Sequence, residues 1–347
     1  MYTTQSKRVR PLPTNHMPIA PTTLVLSSGG VRGVAHAGAL QVLATMGWIG
    51  PAIQTVVGTS AGALVGMLVA LRYTPDEVVR LVREYDFSTL CDAGVRMYPS
   101  NLLRLPRAFG AVDSAHAPLG AFVTTIVENS RVAGGDAGLS LGALHQRTGC
   151  ALIVCATDTW TSRPVYFGPE SHPDMPIVEA VRASCNIPFY FTPVDGRYVD
   201  GALVDHYPFA RATDPVGQIV GVVIVDAEED TSPVDPTPSK SLGDYVRRLV
   251  RAVETTGTQR TLADTDVEER SIVVRCARGM GEYVRREEYL EAGARAARAF
   301  VARQRALKVT ARIGPTARDD ITRVLQHKGF SQLPTREPDT KRGDDEK

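Results

Sequence analysis

The chain lacks the marks of several protein classes. Charge of either sign is missing as a theme: 39 lysines and arginines stand against 38 acidic residues, a net charge of +1. No overall field therefore favours nucleic acid as a partner. Basic runs such as Lys7-Arg8-Val9-Arg10, Arg247-Arg248 and Arg285-Arg286 read as solvated faces. Cysteine is scarce and odd in number: Cys91, Cys150, Cys155, Cys185 and Cys276, with no C-x-x-C pair. That argues against a disulfide framework or a zinc site and suits buried thiols in a reducing compartment. The histidines are scattered and no acidic triplet has calcium-loop spacing, so no metal and no cofactor is expected. No apolar stretch follows the basic residues near the N-terminus, and a secretory signal is not read there. The most apolar window, Ala61 to Leu71, is too short to span a bilayer. A soluble intracellular protein with only peripheral membrane contact is the expectation. No internal repeat is found.

What remains is ordinary for a protein with a sizeable core: 43% apolar and 22% charged residues in a chain of 347. Residues 1–21 are polar and proline-rich (Pro11, Pro13, Pro18, Pro21) and read as a flexible arm. Residues 22–305 alternate buried-strand and helix patterns, which predicts an α/β fold with a mainly parallel central sheet covered by helices on both faces. The predicted strands include Thr22–Leu26, Cys150–Thr157, Gly217–Asp226 and Ser271–Arg275. Thr74-Pro75-Asp76-Glu77 is a helix start with its cap and acidic first turn. Between Phe87 and Gly120 periodicity fails; Met97, Leu102, Leu103 and Phe109 stand among prolines and glycines there. Such a segment is either a lid or channel wall, which would touch bilayers, or a connection packed on the core. Residues 306–347 form a C-terminal extension, expected to be disordered from about Ser331.

The organising stretch is Ile53 to Tyr73. A short β-branched run (Ile53, Thr55, Val56, Val57) passes through Gly58-Thr59-Ser60-Ala61-Gly62 into an apolar helix. Strand, G-x-S-x-G turn, helix is the context of a nucleophile elbow. The turn is so sharp that side chains two residues either side of Ser60 would collide with neighbouring backbone. Gly58 and Gly62 remove those side chains, and Ser60 is left exposed to a substrate at the positive end of a helix.

A second glycine-rich loop, Ser28-Gly29-Gly30-Val31-Arg32-Gly33, joins the first strand to a helix of about Val34 to Met46. Such a loop presents backbone N–H groups to an anion. A dinucleotide site would need an acidic residue about twenty positions on, where the chain has Val56-Val57-Gly58. A P-loop would need G-K-[ST], and no lysine follows. The remaining readings are an oxyanion hole built from the amides of Gly29, Gly30 and Val31, with φ > 0 at the glycines, or a tight turn that holds no ligand. The neighbouring elbow favours the first. A third station is Asp200-Gly201-Ala202, an acidic residue at a strand end followed by small residues.

The three stations in this order closely resemble the patatin-like phospholipase family of lipid acyl hydrolases. Ala156-Thr157-Asp158, Arg182 to Pro188 and Tyr198 to Pro208 look alike as well, and the resemblance runs from about Leu24 to Arg303. It implies a parallel sheet with flanking helices, an oxyanion hole at Gly29, Gly30 and Val31, Ser60 as nucleophile, and Asp200 completing a Ser–Asp dyad without histidine. The substrate would be a phospholipid or other lipid ester. The chain departs from the family at Ser28, where glycine is usual, and at His206, where asparagine is usual. His206 then either assists the dyad or is structural, and His36, inside the helix after the loop, reads as packing. Arg32 either holds a lipid phosphate or pins its loop. The rival to an enzyme is a catalytically silent lipid-binding or scaffolding protein of the same fold.

Overall fold

The computed structural model describes residues 20–86, 110–113, 118–212, 218–227, 242–277 and 284–312. By its internal contacts the chain forms two compact units, Pro18–Phe300 and, separately, Met1–Met17 with Val301–Lys347. The sheet and the candidate site lie within Pro18–Phe300. Residues 1–19 of the N-terminal arm, 87–109 and 114–117 of the aperiodic segment and 313–347 of the C-terminal extension lie outside the described residues.

The strands are β1 (Thr23–Leu26), β2 (Thr55–Thr59), β3 (Gly110–Asp113), β4 (Ala151–Asp158), β5 (Arg163–Phe167), β6 (Phe189–Thr192), β7 (Tyr198–Asp200), β8 (Ile219–Asp226) and β9 (Ser271–Cys276). The helices are α1 (Val34–Thr45), α2 (Ala61–Ala70), α3 (Pro75–Glu84), α4 (Pro118–Asn129), α5 (Leu141–Thr148), α6 (Ile177–Ser184), α7 (Leu242–Leu262), α8 (Thr265–Glu269) and α9 (Arg286–Arg312). Two helices show clear local causes for their ends. The capping box expected at Thr74 forms: Glu77 N–H donates to Thr74 Oγ1, and Thr74 N–H donates to the Glu77 carboxylate. Helix α5 begins at a Ser140 cap and ends on Gly149 with φ of 66°, the left-handed stop that glycine adopts without strain. Sequence periodicity missed β3 and α8, which are too short to show a period.

The main sheet runs β5-β4-β2-β1-β8-β9, and β7 pairs with β4 as well. The pairs β1–β2, β1–β8, β2–β4 and β8–β9 are parallel; β5 and β7 lie antiparallel to β4. Strands β3 and β6 form a small parallel ribbon of their own. Alternation along the central strands sends one set of side chains to each face. Leu26, Val56 and Leu152 meet α2 at Gly66, where a Cβ would stand 2.8 Å from Val56. Val25, Val57 and Val223 turn the other way and form a buried cluster with Tyr207 and Phe209, against which Leu262 and Val267 pack. Both faces are thus covered, which is why β1, β2 and β8 are apolar almost without interruption. Cys150, Cys155, Cys185 and Cys276 are buried and unpaired. Among the described residues, no helix is long and apolar enough to cross a membrane.

Candidate active site

Because β1 and β2 are parallel neighbours, with Leu26 opposite Gly58, the loops that leave them emerge side by side at the carboxyl edge of the sheet. The two loops touch through positions that carry little or no side chain. A Cβ on Gly62 would lie 2.4 Å from the Leu26 carbonyl oxygen and 2.5 Å from that of Ser27. One on Gly58 would meet the backbone of Gly62 at 2.5 Å. These separations are far inside van der Waals contact and the obstacles are backbone, so neither glycine of the G-x-S-x-G turn is replaceable without moving a strand. Ser60, between them, has φ of 52° and ψ of −118°. A non-glycine residue held there costs on the order of 1–3 kcal/mol, which the surrounding packing must over-determine.

One clamp on that strained residue comes from far along the chain. Ser184, at the end of α6 and fully buried, accepts a hydrogen bond from Ser60 N–H at 2.8 Å. Its own hydroxyl donates to the Cys155 carbonyl at 2.5 Å. The elbow's amide is therefore tied to β4 through a single side chain. Thr59 Oγ1 likewise donates to the Asp205 carbonyl at 2.9 Å, and Tyr166 donates to the Asp205 carboxylate at 2.6 Å. Burial raises the Asp205 carboxyl, although the Tyr166 bond pulls it back down. Sequence reasoning assigned nothing to Ser184, Tyr166 or Asp205. A lone serine at a helix end carries no signal of what the next strand will bring to it.

The third station meets the second directly. Ser60 Oγ donates to Asp200 Oδ2 at 2.7 Å, across 140 residues of chain. The other carboxylate oxygen, Oδ1, accepts Ala202 N–H at 2.9 Å, where a short 3₁₀ turn begins. Asp200 is the last residue of β7, held against β4 by its register opposite Ala156 and by Thr157 Oγ1, which donates to its carbonyl at 2.7 Å. Gly201 lets this strand end come close: a Cβ there would sit 2.3 Å from the Cys155 carbonyl oxygen. Burial pushes the Asp200 carboxyl up to about 7, against the stabilising bonds from Ala202 and Ser60. A carboxylate with that affinity is matched to accept a proton near neutrality.

The first station contributes donors. Residues Gly30–Gly33 form a 3₁₀ turn capped by Gly29, so the amides of Gly29, Gly30 and Val31 come before the first N–H that finds an acceptor inside it. Among the described residues these three amides make no hydrogen bond to protein. Gly30 has φ of +56° with open space where a Cβ would be. Gly29 departs from the expected φ > 0: its φ is −179°, and a Cβ there would stand 2.7 Å from Ile224 Cδ1, so the end of that side chain would have to shift. Ser28 is buried and its N–H donates to the His206 carbonyl at 2.9 Å, so the missing glycine is accommodated as part of the loop's anchorage. Gly33 packs against Ala61, the residue after Ser60.

Arg32 does not face a substrate. It is 3% exposed, and its guanidinium donates to Asp226 at the end of β8 at 2.7 Å, so of the two roles left open for it the geometry favours pinning the loop. His36 is also structural: Nε2 donates to the Ser27 carbonyl at 2.8 Å, and burial lowers its ring to about 4, leaving it neutral at pH 7. His206 is buried beyond the Asp200 turn and lines a cavity of about 420 Å³ with Ala202, Val204, Val253 and Arg260. The partner of Ser60 Oγ is Asp200. No group of His, Cys, Asp and Glu among the described residues has the arrangement of a metal site.

A mostly parallel α/β sheet with a strained serine on a strand–helix elbow and a buried aspartate against it places the chain in a class of hydrolase folds. Residues 24–213, more than half of the sequence, match the patatin-like phospholipase family, and the chain belongs to it. YqhO of Bacillus subtilis is 29% identical over 228 residues, covering 59% of this chain and 72% of its own. "Probable lipid hydrolase 463L" of Invertebrate iridescent virus 6 is 29% identical over 191 residues, 54% of this chain and 61% of that one. The crystal structure of VipD from Legionella pneumophila superposes with a TM-score of 0.54 at 15% identity, over 82% of this chain and 67% of that one, a likeness of fold.

Proposed function

We propose that the protein is a serine hydrolase of lipid carboxylic esters working through a Ser60–Asp200 dyad. The observation that carries this is the 2.7 Å bond from Ser60 Oγ to a buried carboxylate whose proton affinity is lifted to about 7. A free aspartate, near 3.9, is too weak a base for an alcohol. Here desolvation supplies the missing basicity, and among the described residues no cation pairs with Oδ2. As Ser60 Oγ bonds to the acyl carbon, its proton passes to Asp200 and the carbonyl oxygen becomes an oxyanion. The unpaired amides of Gly29, Gly30 and Val31 are the donors for that charge. Collapse expels the alcohol, which takes the proton from Asp200. Water, giving one proton to Asp200, then attacks the acyl-serine; Ser60 Oγ leaves, takes that proton back from Asp200, and the acid is released. Family membership and the viral lipid hydrolase support a lipid ester as the substrate class.

The test is covalent labelling joined to product analysis. A fluorophosphonate should add to the wild-type protein and not to Ser60→Ala, and mixed phospholipids should lose fatty acid only with the former. An adduct that survives the substitution would remove Ser60 from the nucleophile's role. A labelled enzyme that releases no fatty acid would make the fold a lipid binder.

A further inference from the structure

Seven large apolar side chains stand well exposed among the described residues, and six of them gather about one feature. Trp160 lies two residues beyond β4, whose end is at the same sheet edge as Ser60 because β4 runs parallel to β2. Ile187 follows α6 and adjoins Asn186, whose carbonyl accepts the Asp200 N–H at 2.8 Å. Val204 follows the turn that Asp200 caps, and Val253 of α7 shares the cavity beside it. Leu249 and Tyr245 continue from Val253 at intervals of four, one stripe along α7. These six are between 39% and 71% exposed; only Val284 lies elsewhere.

We propose that this rim is the face by which the protein lies on a lipid bilayer, with the dyad's mouth turned toward the lipid; the inference rests on the ester-hydrolase reading. An exposed apolar set of this kind marks a protein or membrane contact. A protein seated here would cover the approach to Asp200, whereas a bilayer delivers the substrate to it. The residue types agree with lipid. Trp160 and Tyr245 are the amphipathic rings that settle at headgroup depth. The Arg197 guanidinium stacks at 4.8 Å from the Trp160 ring and 5.1 Å from that of Tyr198, while ion-paired to Asp158. Over its 21 residues α7 has four arginines (Arg247, Arg248, Arg251, Arg260) against two acids (Asp244, Glu254); Arg251 is ion-paired to Asp226 at 3.1 Å, and the helix still keeps a cationic balance suited to anionic headgroups. The aperiodic segment, read from sequence either as a bilayer-touching lid or as a packed connection, lies mostly outside the described residues.

The chain contains two tryptophans, and Trp48 is buried against Phe300, so Trp160 is a built-in reporter. The full-length protein should sediment with vesicles of phosphatidylcholine and phosphatidylglycerol. In a Trp48→Phe background, brominated acyl chains should quench Trp160. If that background does not fold, sedimentation of the double variant Leu249→Glu/Val253→Glu in the otherwise native chain decides alone. Its vesicle partitioning should fall about tenfold or more with its circular dichroism retained. A native protein that stays in the supernatant, Trp160 left unquenched on bound vesicles, or a folded double variant that partitions normally would overturn the proposal. So would a vesicle-free dimer that the double variant dissolves, which would make the stripe a self-association face. Release of acid from a short-chain soluble ester reports the dyad separately. Its absence beside normal vesicle binding would defeat the hydrolase reading and leave the docking face standing.

Discussion

Asp158 and Asp200 are the same residue at nearly the same depth, 5% and 7% exposed, on paired strands two rungs apart. Their electrostatic fates are opposite. Asp158 receives both prongs of the Arg197 guanidinium, at 2.8 and 2.6 Å, plus the Trp160 amide and the Thr161 hydroxyl. The arginine bond holds its carboxyl well below the ordinary range, so it is ionised at neutral pH. Asp200 has a serine hydroxyl and one amide and, among the described residues, no cation, and burial lifts it to about 7. An ion-paired carboxylate has given its basicity away; an unpaired buried one keeps it. Arg32 and Asp226, at the end of β8, repeat the first arrangement. Burial raises a carboxyl at this sheet edge, and whether one of the described cations reaches it decides whether the basicity is kept.

The largest test of that contrast is the pair of isosteric substitutions. Asp200→Asn should lower turnover of a soluble ester by roughly 10³, the loss of a positioned general base. Asp158→Asn should change it by only about severalfold, since it alters a structural pair. Steady-state kinetics on the two purified variants decides this, and the reverse ranking would end the assignment.

Next is pH. If Asp200 must be ionised, kcat/KM should fall about a hundredfold between pH 8 and pH 5, with its midpoint near 7. Burial has moved this carboxylate onto the range of an ordinary imidazole, so the profile alone cannot tell aspartate from histidine. His206→Asn supplies the distinction: it should leave the limb where it is and turnover within about threefold. A limb that vanishes with His206 would transfer the base to that residue.

Stability should show the same contrast with opposite sign. Asp200 has a raised folded pKa, so the folded protein holds a proton that the unfolded chain releases between about 4 and 7. Stability from this group is present at low pH and is lost as pH rises through that window. Asp200→Asn should thus gain on the wild type by on the order of 2 kcal/mol from pH 4 to 7, read from thermal midpoints or denaturant unfolding. Asp158, with its depressed pKa, contributes stability that is present above about 4 and disappears only in strong acid. Asp158→Asn should therefore be the less stable variant at neutral pH. Parallel pH slopes in the two variants would refute the comparison.

The smallest expected effect concerns the elbow's clamp. Ser184→Ala leaves the Ser60 N–H and the Cys155 carbonyl without their bridge, a loss of about 1–3 kcal/mol in a buried place. Turnover should fall about tenfold with little change in KM, because the nucleophile is displaced and the substrate's contacts are not. An unchanged rate of fluorophosphonate labelling in a folded Ser184→Ala protein would show that the φ of 52° holds without it.

Much of this architecture is legible in local stretches. The apolar runs at Leu24–Leu26, Val56–Val57 and Ile219–Val225 mark strands buried on both faces, and Thr74-Pro75 marks a capped helix start. The spacing of Gly58, Ser60 and Gly62 signals a turn too tight for side chains, because the clash it avoids lies within five residues. Sequence by itself therefore determined the sheet's class, the elbow and the glycine loop beside it. Strand order decided the rest. That Asp200 reaches Ser60 follows from β7 pairing with β4 and β4 with β2. The ion pair of Arg32 with Asp226 depends on β8 lying beside β1, and Ser184 touches the elbow only because α6 ends over β4. The pKa of a carboxylate depends on what surrounds it in space, and a linear chain does not state its neighbours. Asp158 and Asp200 look alike as letters, and the packing gives an arginine to one and none to the other.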